Sequence, residues 1–403
     1  MKASKNFSVK FLTAAAVFST GWSVVSAVEP PAPRPPQPTF VNRVSFRQEI
    51  QHSIDLGLGY LEKAQAGEGH WSNPEYPALS GMAITALQGD PDESARSRES
   101  RRKTVSRGYD FLLRCVQKDG GIYSDRKLVN YNTSVCMVAL LLAGKPEYDP
   151  VIRKARQLII SRQLDLGVPG KTDGVLDGGM GYGDGSAHAD LVNTMHTLEA
   201  LYYSRRLARD RAPDVGQDLN WDAAIQFIQN CQHLASVNKQ SWVSDKDDQR
   251  GGFIYSPGES KAGELKSADG RSALRAYASI SYAGMLSYVY AGLRKDDPRV
   301  VAVVDWTRRN YTLDENPGMG PQGLYFYFHT LTKALTAAGH DSVETADGVR
   351  HDWRVDLGLH LMNLQKSGGS WENDNARWWE KDAVLSTSYA VISMEMIHRS
   401  LKP

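Results

Sequence analysis

GYDFLLRCVQKDGGIY (Gly108–Tyr123), followed by NYNTSVCMVALLLAG (Asn130–Gly144), shows two kinds of helix side by side. In the first stretch Tyr109, Leu112, Leu113 and Val116 stand three and four residues apart with charges between them, which predicts a helix with one apolar face. The second stretch is apolar or small nearly all round, which predicts a helix buried on most sides. Gly120 and Gly121 lie between them and can take the positive φ that a tight reversal needs. The unit is a hairpin of one half-exposed and one buried helix.

The unit recurs along the chain, which makes the repeat the first thing to read. Upstream, LGYLEKAQ, GEGHW and YPALSGMAITALQG fill residues 58–89. Downstream, ARQLIISRQL, DGGMGYGD and ADLVNTMHTLEALYY form a third copy within residues 155–203. The fourth combines AIQFIQNCQ, RGGFIYSPGE and SISYAGMLSYVYAG, the fifth VVDWTRRNYTL, NPGMGPQG and LYFYFHTLTKALTAAG. The sixth runs LGLHLMNLQKSGGSW, then AVLSTSYAVISMEMI. Half-exposed helices alternating with buried ones describe two concentric layers. Six such hairpins close into a ring, and the alternative is an open superhelix of helix pairs.

Gln117–Tyr123 followed by NTSVCMVAL, and Leu364–Trp371 (LQKSGGSW) followed by TSYAV, resemble the repeat of squalene cyclases and protein prenyltransferase β-subunits. The resemblance covers about residues 46–400. It implies an all-α fold, an α/α toroid of six helical hairpins with inner and outer helix rings. It is more specific for the fold than for the reaction.

The 403 residues divide into three expected parts. Lys2, Lys5 and Lys10 precede an apolar run, and Val25-Ser26-Ala27 fits signal cleavage, so residues 1–27 read as an export signal cut near Ala27. That destines the chain for a periplasmic or secreted location. Residues 28–45 are Pro-rich and read as a disordered linker, and 46–403 form the toroid. The mature chain has no stretch suited to spanning a membrane. Lys plus Arg (47) nearly equals Asp plus Glu (46), which argues against a nucleic-acid binder. Cys115, Cys136 and Cys231 sit in apolar helical contexts and read as buried thiols. No Cys-x-x-Cys pair is present, so no metal and no cofactor is expected.

In a ring of this kind, the Gly-rich turns and the starts of the inner helices line one mouth of a central cavity. Their free N–H groups point there. The residues placed at that mouth are Asp184, His188, Asp190 and Asn193 in the third copy, Tyr277, Ser281 and Tyr282 in the fourth, Tyr325, Tyr327 and His329 in the fifth, and Trp378, Trp379, Asp382 and Ser386 in the sixth. Asp190, His329 and Asp382 are the catalytic candidates. The bland reading of Asp190 is a helix cap.

Three chemistries fit parts of this set. Tyr327–Thr330 (YFHT) resembles the zinc-ligand segment of prenyltransferases, yet no Cys follows Cys231 to supply the thiolate. Asp245-Lys246-Asp247-Asp248 matches the letters of a class II cyclase acid, but it precedes the Gly251-Gly252 turn and reads as a solvated loop. Carbohydrate chemistry needs paired carboxylates and aromatic platforms, for which Asp184, Asp190, Asp382, Trp378 and Trp379 are available. The leading expectation is an exported, cyclase-like protein that holds an apolar or polyprenyl-type small molecule in its central cavity, with catalysis left open. The alternatives are a carbohydrate-active enzyme (glycosidase or polysaccharide lyase) and a non-catalytic binding or scaffold module. In the last, the insertion Glu259–Arg275 would overhang the mouth to meet a protein partner, or close Arg271 and Arg275 over an anion.

Overall fold

The computed structural model describes residues 43–92, 94–183, 185–209, 218–266 and 272–401. The chain divides into two units, Met1–Val41 and Asn42–Pro403. The first, with the expected export signal, lies outside the described residues. In the second, six hairpins follow in order. The half-exposed helices are α1 (Arg43–Ala64), α3 (Ala95–Arg114), α5 (Asp149–Ile160), α8 (Trp221–Asn230), α10 (Pro298–Arg309) and α12 (Trp353–Leu364). The buried ones are α2 (Pro77–Gln88), α4 (Val129–Leu142), α6 (Leu191–Tyr203), α9 (Ala278–Tyr290), α11 (Leu324–Ala338) and α13 (Ala383–Ser400). The short α7 (Arg205–Arg209) follows α6.

The buried helices touch in the order α2, α4, α6, α9, α11, α13, and α13 returns to α2. The ring is closed. The half-exposed helices pack outside it, with α1 bridging α13 and α2. An all-round apolar helix such as α4 therefore has neighbours on both sides and a third helix behind it, which is why its composition carries no polar face.

Two local devices repeat. Beyond the turn, Trp71, Ile122, Met180, Phe253 and Trp371 each donate a main-chain N–H at 3.0 Å to a hydroxyl of the following inner helix, on Ser80, Thr133, Thr194, Ser281 and Thr387. These buried N–H groups have no sheet or helix partner, so the hydroxyl satisfies them. Thr133→Val keeps the shape and leaves the Ile122 N–H unpaired. It should cost about 1–3 kcal/mol in urea unfolding.

The second device is a glycine seat. Gly251 has φ +92, and a Cβ there would lie 1.9 Å from the Ala302 carbonyl oxygen of α10. Gly369 (φ +89) makes the same close approach to Leu56 of α1, so the last turn rests on the first helix. The fifth turn uses neither device. There Asn316 accepts the Ser279 N–H at 3.0 Å and donates to the Ser279 hydroxyl at 3.1 Å, tying the turn to the preceding inner helix.

Among the described residues, two short antiparallel hairpins are inserted in the ring. β1 (Glu264–Lys266) pairs with β2 (Ser272–Leu274) inside the expected insertion, and β3 (Val343–Glu344) pairs with β4 (Arg350–His351) between α11 and α12. Cys115, Cys136 and Cys231 are buried and unbridged. Among the described residues no helix is long and apolar enough to cross a membrane.

Candidate functional site

The start of α6 carries a connected polar cluster at the turn-side mouth. Asp190 is fully buried and caps the helix, its Oδ1 accepting the Asn193 N–H at 2.8 Å. Its Oδ2 accepts from the Asn193 amide at 2.7 Å and lies 3.3 Å from His188 Nε2. The His188 side chain is 33 % exposed. Its ring stacks parallel to Tyr182 at 6.0 Å and lies 6.0 Å from Tyr255. The Tyr182 and Tyr255 hydroxyls are 3.0 Å apart, and both phenols feel the Asp190 charge. The insertion hairpin flanks this side, with Lys261 4.3 Å over the Tyr255 ring.

These contacts shift protonation. The Asp190 hydrogen bond raises the His188 pKa, against a smaller opposing effect of burial. Burial, reinforced by the Asp190 charge, pushes the Tyr182 phenol up to about 12 and the Tyr255 phenol higher still. The protonated imidazole is thus favoured in the fold. Its stabilisation is present below the ordinary histidine value and is lost as pH rises through the raised one. Asp190→Asn removes the charge but keeps a good cap. In an NMR titration of the His188 ring, that variant should titrate below wild type.

The opposite rim belongs to the sixth hairpin, three places around the ring from α6. Trp378 and Trp379 are 39 % and 45 % exposed. Both hold left-handed backbone, with φ of 55° and 69°, which costs on the order of 1–3 kcal/mol for a residue other than glycine. Trp379 meets Tyr76 edge-on at 4.6 Å, and Arg377 lies 4.4 Å over the Trp378 ring.

Below the mouth, side chains of the inner helices meet inside the ring. Tyr131 of α4 packs on His196 of α6 at 5.1 Å and faces Tyr389 of α13. His329 of α11 lies 4.9 Å from Tyr389. Lys333 of α11 pairs with Glu199 of α6, which also accepts from the Tyr290 hydroxyl at 3.3 Å. Helices α4 and α13, like α6 and α11, are not neighbours in the ring, so these pairs bridge it. Burial lowers His196 to about 4 and His329 well below its ordinary value, so both are neutral at pH 7. At this depth these side chains form a mixed polar and aromatic plug.

The remaining expected residues fall in several places. Asp382 caps α13, accepting from Val384 N–H at 2.9 Å, and also accepts from Ser72. Ser281 is the clamp hydroxyl of the fourth hairpin, Ser386 bonds the Glu380 carbonyl at 2.7 Å, and Tyr277 is buried at the start of α9. Tyr282 and Tyr327 pack on each other between the two layers, the Tyr327 hydroxyl donating to the Thr312 carbonyl at 2.7 Å. Tyr325 is buried against Phe328. Asp184 and Arg271 lie outside the described residues. Asp245, Asp247 and Asp248 are exposed, beside α10 rather than at the mouth, where the Asp248 main-chain carbonyl accepts from the Trp306 indole at 3.0 Å. Glu380, not anticipated, is buried and caps α11 through the Phe326 N–H at 2.7 Å. Among the described residues no group of three or more His, Cys, Asp or Glu could hold a metal ion.

No protein-family model and no curated protein matches the chain in sequence. Solved structures do match in fold. A GH76A α-1,6-mannanase from Salegentibacter aligns over 88% of this chain and 100% of its own, with 11% identity and a TM-score of 0.54. A GH76 α-mannanase from Bacteroides thetaiotaomicron aligns over 89% and 96%, with 13% identity and a TM-score of 0.52. The type II terpene cyclase MstE from Scytonema aligns over 88% and 99%, with 12% identity and a TM-score of 0.49. The fold is an α/α toroid. At these identities the likeness reaches the fold and stops there.

Proposed function

We propose that this chain is an exported carbohydrate-active protein whose site is the turn-side mouth of the toroid. The observation that carries this reading is the pairing of an exposed indole rim, Trp378 and Trp379, with the Asp190-held His188 on the opposite rim, above a floor that bridges the axis. Indole faces suit the C–H faces of a sugar ring, and the polar rim suits its hydroxyls. A long polyprenyl chain would need depth, and the plug occupies that depth.

The chemistry on offer is proton transfer at an imidazole. Asp190 and Asp382 both accept main-chain N–H bonds, as does Glu380, so each is engaged as a helix cap. A mechanism on two available carboxylates finds less support than one in which His188 moves a proton, Asp190 orients it, and Tyr182 or Tyr255 supplies a hydroxyl. Half-buried Val192 and Phe326, on the first turns of α6 and α11, favour a second reading in which a short apolar chain enters the same mouth.

Screening the purified protein against a polysaccharide panel and a soluble polyprenyl diphosphate separates the two. The glycan reading expects retardation in polysaccharide-containing gels, weakened about tenfold by Trp379→Ala. It also expects new chain ends that His188→Gln suppresses on the order of a hundredfold or more. Binding of the polyprenyl compound with none of any glycan sinks the first reading and leaves the second.

A further inference from the structure

We infer that the sugar taken by this mouth is acidic, with Arg377 as the anchor for its anionic group and Trp378 as the platform for its ring; this rests on the glycan reading above. Four tryptophans, Trp71, Trp306, Trp353 and Trp371, are no more than 2% exposed, so the fold readily buries indoles. Trp378 and Trp379 are kept in water by a loop that is itself pinned. Asn373, mostly buried, donates to the Pro321 carbonyl and to Glu380 Oε2, both at 2.7 Å, and its Oδ1 accepts the Asn375 N–H at 3.0 Å. Asn375 in turn accepts the Arg377 N–H at 3.0 Å. Trp378 rests on Gly323, where a Cβ would come within 2.9 Å of the indole. The platform is pre-set before any ligand arrives, which lowers the ordering cost of binding.

The charge at this platform is the second observation. Lys127 pairs with Glu75 at 2.6 Å, Lys261 with Glu259, and Lys366 with Glu372 at 2.6 Å, while Arg126 and Lys381 make no ion pair among the described residues. Arg377 makes no ion pair among the described residues. It donates to the Gln322 side chain, and its guanidinium carbon lies 4.4 Å from the centre of the Trp378 ring. The guanidinium N–H groups not engaged by Gln322 remain for a planar or tetrahedral anion. A sugar ring lying against the exposed indoles would bring a carboxylate or sulfate to them.

Affinity gel electrophoresis of the full chain tests this, with neutral mannan, polygalacturonate and dextran sulfate as probes, for wild type, Arg377→Gln and Trp378→Ala. The expected result is at least tenfold stronger retardation by polygalacturonate than by mannan. Arg377→Gln should lose that preference, while Trp378→Ala weakens retardation by both. Preference for dextran sulfate, equally sensitive to Arg377→Gln, assigns the anchor to sulfate instead of carboxylate and supports the proposal. Equal retardation by mannan and polygalacturonate overturns it and leaves the glycan reading standing. Polyanion binding that Arg377→Gln does not change also overturns it, as non-specific charge attraction. Retardation by no glycan removes both readings. Arg377 is exposed, so a melting temperature equal to wild type confirms that the variant is folded.

Discussion

Gly251→Ala should unfold the ring more readily than any conservative surface change, by about 3–5 kcal/mol. Two costs add. The residue would sit at φ +92, where an alanine is strained by roughly 1–3 kcal/mol. Its methyl would also lie 1.9 Å from the Ala302 oxygen, so the turn must lift off α10 and give up contacts under Phe253 and Trp306. Gly144 is the control. It has φ +61 with open space around its Cβ position, so Gly144→Ala carries strain without collision and should cost about 1 kcal/mol. Guanidinium unfolding of both variants checks this, and equal midpoints would mean that the seat contributes nothing.

His196→Gln should flatten the loss of stability on acidification by about 3 kcal/mol between pH 6.5 and 4. The wild-type imidazole titrates at about 4 in the fold and near 6.5 when unfolded. Between those values the unfolded chain binds a proton that the folded chain refuses, so stability falls as pH falls through that window. A shift of about 2.5 units corresponds to roughly 3 kcal/mol at 1.4 kcal/mol per unit. The comparison with the variant matters because other groups pull the opposite way. Burial raises the Glu395 and Glu380 carboxyls, and acid relieves the cost of their charge. Calorimetry at pH 7, 6, 5 and 4.5 measures both proteins. Parallel curves would show that His196 is not held neutral by the plug.

The hairpins were legible because their signal is compositional. A helix such as α4, apolar on every side, can only sit between neighbours, and paired glycines mark four of the six reversals. The rim residues His188, Asp190, Trp378 and Trp379 were legible from position alone, since they immediately precede inner helices. Tyr182 and Tyr255 were missed, although each stands three residues past the second glycine of its turn, the same place in two copies. The plug was not legible. His196, Glu199 and Lys333 lie on helices buried all round, and nothing in such a helix tells the axis-facing side from the side against the outer layer. The same ambiguity put Tyr282 and Tyr327 at the mouth on paper, whereas they pack between the layers. Asp190 and Asp382 read correctly as inner-helix starts, but their use as caps depends on where the main-chain N–H groups point.

Ring closure has a consequence for how the chain is made. Ser53 of α1 meets Met394 of α13, a partner 341 residues later. At roughly 5–20 residues per second, the apolar face of α1, with Ile50, Ile54 and Leu58, waits about 20–70 s for its cover to emerge from the ribosome. No early fragment can bury that face as the finished ring does. A nascent chain of this architecture therefore depends on being shielded until its last helix is synthesised, and truncation near the C-terminus exposes the first helix as surely as the last.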